Sequence, residues 1–208
     1  MCAFEEDDNT GVKLISASQP NQTQVLPISK ERRATTSMQL CKAGKHAVTV
    51  LRTLKGVKPE RHYYQLWDLR NEPQAIGPEI PSPYVGYYGR RYALFSEDAA
   101  LLATGDPDGM VRVWKVDDVV ANSMRPLIEA SGDGDHRTTA LAFSRDQRLF
   151  ACARGRGEVE VWDIATRQRV TVWPDTPNKL RPARYVSAIA FAPDGQQLAV
   201  CRGQAIQI

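Results

Sequence analysis

Short apolar runs, some alternating with polar residues at a period of two, recur along this chain. Leu101-Leu102-Ala103-Thr104 and Met110-Val111-Arg112-Val113-Trp114, the latter with Val111 and Val113 alternating, are two such runs, separated by a turn that carries Asp108-Gly109. Alternation of this kind sends every second side chain to one face of a strand. Aspartate–glycine between two strand-like runs is a strong hairpin signal, because glycine enters the left-handed region without a steric penalty and suits turns that follow strand twist. The stretch from Phe95 to Trp114 therefore predicts a hairpin.

The hairpin recurs. Phe143 to Trp162, reading FSRDQRLFACARGRGEVEVW, keeps the same aromatic-to-tryptophan spacing (114 − 95 and 162 − 143 are both 19), and Phe191 opens a third copy, FAPDGQQLAVCRGQAIQI. The period is constant at 48 residues (143 − 95 and 191 − 143). Short strands repeating at such a period predict a solenoid or a propeller. Helical periodicity is essentially absent.

Read in order, the chain opens in the middle of a unit. DNTGVKLI, Asp8 to Ile15, matches the second half of the hairpin with Ile15 in the tryptophan position, and QTQVLPI, Gln22 to Ile28, supplies the following strand. Residues 1–34 are thus read as strands of a preceding unit plus a polar linker from Lys30 to Thr36. Residues 35–83 form a divergent unit, in which Leu40 stands opposite Phe191, Trp67 is the tryptophan, and an insertion lies around Lys55 to His62. Its last part, PQAIGPEIPSPY, contains prolines that forbid a helix and restrict sheet pairing to an edge. Residues 84–131 and 132–180 are two regular units, and 181–208 a partial one. Each complete unit offers four strands: one ending at the aromatic residue, two in the hairpin, one beyond the tryptophan.

Composition narrows the class. At 208 residues, 42% hydrophobic and 25% charged, the chain has enough apolar material for a sizeable core. The net charge of +3 is too weak to indicate nucleic acid or an anionic membrane. Apolar runs are strand-sized, and MCAFEEDDN is acidic where a secretory leader is basic and then apolar, so a cytoplasmic location is expected. Cys2, Cys41, Cys152 and Cys201 lack metal-ligand spacing and are read as reduced thiols.

The motifs Leu66-Trp67-Asp68-Leu69, Val111-Arg112-Val113-Trp114-Lys115, Val159-Glu160-Val161-Trp162-Asp163 and Phe191-Ala192-Pro193-Asp194-Gly195, in register at this period, resemble the WD-repeat family of β-propellers. The resemblance covers roughly residues 8 to 208. It implies an all-β fold of four-stranded antiparallel blades, incomplete as given, whose structural anchors are Trp67, Asp68, Phe95, Asp108, Trp114, Phe143, Trp162, Asp163 and Phe191. The chain is expected to be part of a longer propeller; closure as a four-bladed ring and completion by a second molecule are the alternatives. The family's hydrogen bonding between an Asp, a Ser/Thr and the Trp is matched by Asp108 and Thr104. Arg156 and Cys152 stand there in the next unit, so blade stacking is expected to rest mainly on apolar contacts.

Chemistry is sparse. His46, His62 and His136 fall in different units without the paired spacing of a metal site, and are read as solvated or structural imidazoles. Gly155-Arg156-Gly157 lies between strands, with no helix to complete a phosphate loop. Ser131-Gly132-Asp133-Gly134-Asp135 has acidic spacing but no distant glutamate to complete a calcium loop. No catalytic residue, cofactor or metal site is assigned. When propeller geometry is imposed, one face collects Arg90, Arg91, Arg137, Arg154, Arg156, Arg181, Arg184 and Arg202, against Asp106, Asp108, Asp133 and Asp135. The other carries Glu97, Asp98, Asp117, Asp118, Asp146 and Asp194, relieved by Lys42, Lys45 and Arg145. Arginine favours bidentate pairing with carboxylates, so the basic face is expected to bind acidic protein segments. Interleaved aromatics are lacking there, which disfavours nucleic acid. The expected function is a non-enzymatic scaffold for protein–protein interaction within a larger protein. The alternative is a propeller enzyme, or the regulatory part of an enzyme whose catalytic part lies outside this chain.

Overall fold

Each alternating run becomes a strand whose two faces meet different neighbours. The computed structural model describes residues 6–7, 11–15, 23–28, 33–53, 61–83, 91–131, 137–173, 185–203 and 205–207. The first sheet is β1 (Glu6–Asp7), β2 (Gly11–Ile15) and β3 (Thr23–Val25). The second is β4 (Arg33–Leu40), β5 (His46–Thr53), β6 (His62–Asp68) and β7 (Gln74–Ser82). In the third, β8 (Tyr92–Phe95), β9 (Leu101–Gly105) and β10 (Val111–Lys115) are followed by a short helix α1 (Val116–Val120) and then β11 (Ile128–Ala130). The fourth is β12 (Thr138–Phe143), β13 (Leu149–Arg154), β14 (Val159–Asp163) and β15 (Gln168–Trp173). The fifth is β16 (Val186–Phe191), β17 (Leu198–Arg202) and β18 (Ala205–Gln207). All pairings are antiparallel meanders in chain order. The fold is all-β, built from four-stranded antiparallel sheets with a three-stranded one at either end among the described residues.

The core lies between sheets. Ala47 and Trp67 of the second sheet pack with Val12, Leu14 and Leu26 beside the first. From the other face of that sheet, Val48, Val50, Tyr64 and Leu66 meet Phe95, Leu102 and Trp114 of the third. Ala103, Val111 and Val113 then meet Phe150 and Cys152, and Ala151, Val159 and Val161 meet Val186, Ile189 and Val200. Consecutive residues of one strand thus belong to consecutive core layers, which is what period-two alternation becomes when both faces of a small sheet are covered.

Two details depart from the sequence reading. The polar stretch from Lys30 to Thr36 is not wholly a linker, since β4 begins at Arg33. The helix α1 was not expected, because five residues show no helical period; Asp117 and Asp118 in its first turn suit the helix dipole, and Val116 and Val119 are buried. Gly77, at φ +66°, lets β7 run under that helix, where a Cβ would sit 2.8 Å from the Val119 carbonyl. The proline-rich segment, by contrast, is β7, an outer strand, as the prolines require. The expected insertion at 55–62 falls largely outside the described residues. Among the described residues no helix is long and apolar enough to cross a membrane.

Candidate interaction surfaces

The tryptophan anchors fix the interior first. Trp67 Nε1 donates to Thr49 Oγ1 at 2.9 Å, and Trp114 Nε1 donates to Thr104 Oγ1 at 3.1 Å. In the fourth sheet Cys152 replaces the threonine, and Trp162 Nε1 turns to Glu160 Oε2 at 3.3 Å. Asp68 is clamped by Arg70, whose hydrogen bonds hold its carboxyl down at about 2. Asp163 caps the turn at Thr166, and Asp108 accepts from the Met110 amide. Phe143 packs on Phe150 with ring centroids 5.2 Å apart.

Polar chains then run across the strands of each regular sheet. In the third, Asp106 meets Arg112 at 3.5 Å, and Arg112 meets Glu129 at 2.7 Å. In the fourth, Arg154 meets Glu160 at 3.0 Å, and Glu160 meets Arg169 at 3.1 Å. Position for position at the 48-residue period, Asp106 corresponds to Arg154 and Arg112 to Glu160, so the sign is reversed at both; Glu129 and Arg169 share a strand of their sheets but not a position. Both chains also reach back one sheet. Asp106 accepts from Tyr64 Oη at 2.9 Å and Ser82 Oγ at 2.6 Å, while Arg154 donates to the Gly109 carbonyl. Polar links therefore add to the apolar layers that stack these sheets. Where Cys152 breaks the ordinary set, Glu160 replaces it.

These buried groups respond to their surroundings. Burial opposes the Glu160 charge, but Arg154 and the hydrogen bonds from Arg154, Trp162 and Arg169 overcome it and hold the carboxyl below its usual range. Burial raises Asp106, against the hydrogen bonds from Ser82 and Tyr64. Burial raises the Tyr64 phenol, with Asp106 adding to it, and burial likewise raises the Cys152 thiol. His62 is 4% exposed with Nδ1 unpartnered; burial, Arg91 and Arg52 bring it down to about 4.

The expected arginine face is not one surface. Arg90, Arg181 and Arg184 lie outside the described residues. Arg154 is 1% exposed and spends its guanidinium on Glu160 and Gly109, so it belongs to the interior. Arg91 is buried against Ser82, with Asp106 at 3.9 Å. Arg202 is buried as well. Arg137 and Arg156 are the exposed members. The difference is positional: Arg154 and Arg202 end β13 and β17, and Arg91 immediately precedes β8, where all three are covered, while Arg156 in a hairpin turn and Arg137 ahead of β12 emerge.

The opposite end holds a cavity that sequence reasoning missed. Its volume is about 690 Å³, and equivalent positions of four successive sheets wall it, with Leu40, Phe95, Phe143 and Phe191 at corresponding places. The strands that line it, β4, β8, β12 and β16, are each the terminal strand of their sheet, so each has an edge without a ladder partner among the described residues. On the rim, Glu97 binds Lys42 of the second sheet and, at 3.7 Å, Arg145 of the fourth, tying three sheets together. Ser96 and Ser144 shape the rim turns by donating to Asp98 at 2.8 Å and Asp146 at 2.7 Å. The signal was available: residues that recur every 48 positions at the end of a first strand converge if the sheets radiate. Among the described residues no group of three or more His, Cys, Asp or Glu could hold a metal ion.

Comparison with known proteins bears on the repeat. Residues 91–115, covering β8 to β10, match the family described as WD domain, G-beta repeat. Over 111 residues the chain is 32% identical to SEC12-like protein 1 of Arabidopsis thaliana, covering 51% of this chain and 25% of that protein. Apoptotic protease-activating factor 1 of Rattus norvegicus is 33% identical over 95 residues, which are 42% of this chain and 7% of that protein. The LST8 homolog of Drosophila melanogaster is 25% identical over 146 residues, which are 69% of this chain and 43% of that protein. The chain thus spans between 7% and 43% of the length of these relatives.

Proposed function

Taking the chain as what its repeats make it, a WD-repeat module of the β-propeller type, we propose that it is a non-enzymatic cytoplasmic scaffold that holds an extended segment of another protein in the cavity between its inner strands. WD repeats generally mediate protein–protein interaction, which supports the broad reading. The observation that carries the finer one is the cavity of about 690 Å³ walled by the same positions of four sheets. A volume of this size falls within the roughly 300–1,000 Å³ of ligand pockets. Its walls combine apolar side chains with strand edges, a pairing suited to a polypeptide. The rim carries both signs, Lys42 and Arg145 paired with Glu97 and beside them Asp98 and Asp146, so charge does not select the segment there. Arg137 and Arg156, exposed at the other end, favour an acidic segment on that side.

Ala190 lines the cavity and is exposed, so Ala190→Trp fills the mouth without disturbing the core. Proteins captured by the wild-type chain are expected to be lost from Ala190→Trp at an unchanged melting temperature. Recovery of the same proteins by both would exclude the cavity.

A further inference from the structure

Hydrogen bonding along the cavity strands alternates, and the alternation fixes which main-chain groups border the cavity. In an antiparallel ladder every second residue bonds to its partner, while the residues between turn their N–H and C=O to the other side. The amides of Cys41, Ser96, Ser144 and Ala192 donate across to the carbonyls of His46, Leu101, Leu149 and Gln197. Leu40, Phe95, Phe143 and Phe191 come one residue earlier, opposite Ala47, Leu102, Phe150 and Leu198, and so turn their main-chain groups away from those partners. All four line the cavity, and so do Leu141 and Ile189, which stand two residues before Phe143 and Phe191 and share their orientation in the ladder. Backbone donors and acceptors side by side, set among apolar side chains, are what the cavity offers. The rim adds no preference for either sign, since Lys42 and Arg145 stand there with Glu97, Asp98 and Asp146.

We propose that β12 is the strand the occupant joins: an extended, uncharged protein segment pairs its main chain with the N–H and C=O groups of Leu141 and Phe143. The pairing rests on the cavity being the site of that segment. A strand adds to an edge through residues two apart, and within the cavity only β12 and β16 supply such a pair. Leu141 and Phe143 are both half-buried, so their edge can be reached, whereas Ile189 is buried. Side chains of an added strand alternate between two faces. A segment laid along β12 has Phe95 on the side of the third sheet, and Ala190 and Phe191 on the side of the fifth. A charged residue there would exchange water for apolar walls, so neutral β-branched residues fit. Recognition falls on the main chain and tolerates many sequences, while the apolar walls exclude charge.

The test uses the whole 208-residue chain and a fluorescein-labelled peptide of alternating valine and threonine between glycine-serine ends. By anisotropy, N-methylating the valine and threonine amides is expected to weaken binding at least about tenfold, because several main-chain hydrogen bonds are lost together. A glutamate in place of a central threonine should weaken it by a similar factor. Residue-resolved amide hydrogen exchange then identifies the strand: bound peptide should slow Leu141 and Phe143 and leave Ala142, already in the ladder with β13, as it was. Slowing at Phe95 or Phe191 with Leu141 and Phe143 unchanged would give the segment to another strand and overturn the proposal. Equal binding of methylated and unmethylated peptides, or no binding to the wild-type chain, would overturn it too. Ala190→Trp separates this pairing from the cavity itself. If that substitution removes the peptide while methylation does not, the cavity is the site and main-chain pairing is wrong; if the peptide binds Ala190→Trp as it binds the wild type, the cavity reading fails as well.

Discussion

Arg154 and Glu160 show how one substituted residue reorganises a blade. A cysteine where a threonine would accept from tryptophan leaves an indole N–H in need of an acceptor, and Glu160 takes it together with two guanidiniums. Removing one partner of a buried pair leaves the other uncompensated. Glu160→Gln is therefore expected to cost about 3–5 kcal/mol, read as a fall in the urea midpoint, and more than any change at Arg169 alone. His62 sets the acid limit at the same scale. Its folded pKa of about 4 lies below the ordinary 6.5, so the neutral form is the stabilising one. The stability it gives is fully present above pH 6.5 and declines toward pH 4 as the unfolded chain takes up the proton first. Asp106 and Glu160 titrate in opposite senses, the first raised and the second lowered, so they offset one another in part. Melting temperatures measured across this window should fall with pH in the wild type and fall less in His62→Leu.

At the scale of elements, the short helix is the feature that ties one blade to the edge of another. Val119 packs in the layer shared with the second sheet, and its carbonyl comes so near β7 that only a residue without Cβ fits. Gly77→Ala adds both a left-handed alanine and a contact with backbone, which cannot swing aside as a side chain would. A loss of about 1–3 kcal/mol is expected, measurable by thermal denaturation. Gly105 is tight for a different reason, since a Cβ there would meet the Thr138 side chain at 2.6 Å. Its constraint is the approach of the next sheet rather than backbone conformation.

For the whole molecule, the organisation is nearest-neighbour: each sheet shares a core layer with the one before and the one after. Stability then approximates a sum of sheet and interface contributions, and damage stays local. Tyr64→Phe removes one link between the second and third sheets, the hydrogen bond to Asp106. Hydrogen exchange is expected to quicken in β5, β6 and β9 and to stay as it was in β16 and β17. Uniform quickening through all the sheets would show a single cooperative unit instead.

The sequence by itself determined the strands, their hairpins and their repetition, because alternation, Asp108-Gly109 and the 48-residue recurrence of Phe95, Phe143 and Phe191 are local or periodic signals. Even the proline-rich strand was legible as an edge, since a missing N–H restricts where it can pair. The tertiary structure alone decided which charged residues face water. Arg154 and Arg156 are neighbours but one, yet the first is sealed beneath the adjoining sheet and the second emerges at a turn tip. Burial of a charge depends on what a distant sheet lays over it, and no local pattern encodes that. The cavity is of the same kind: its walls come from four separate stretches, and only their convergence makes them a site.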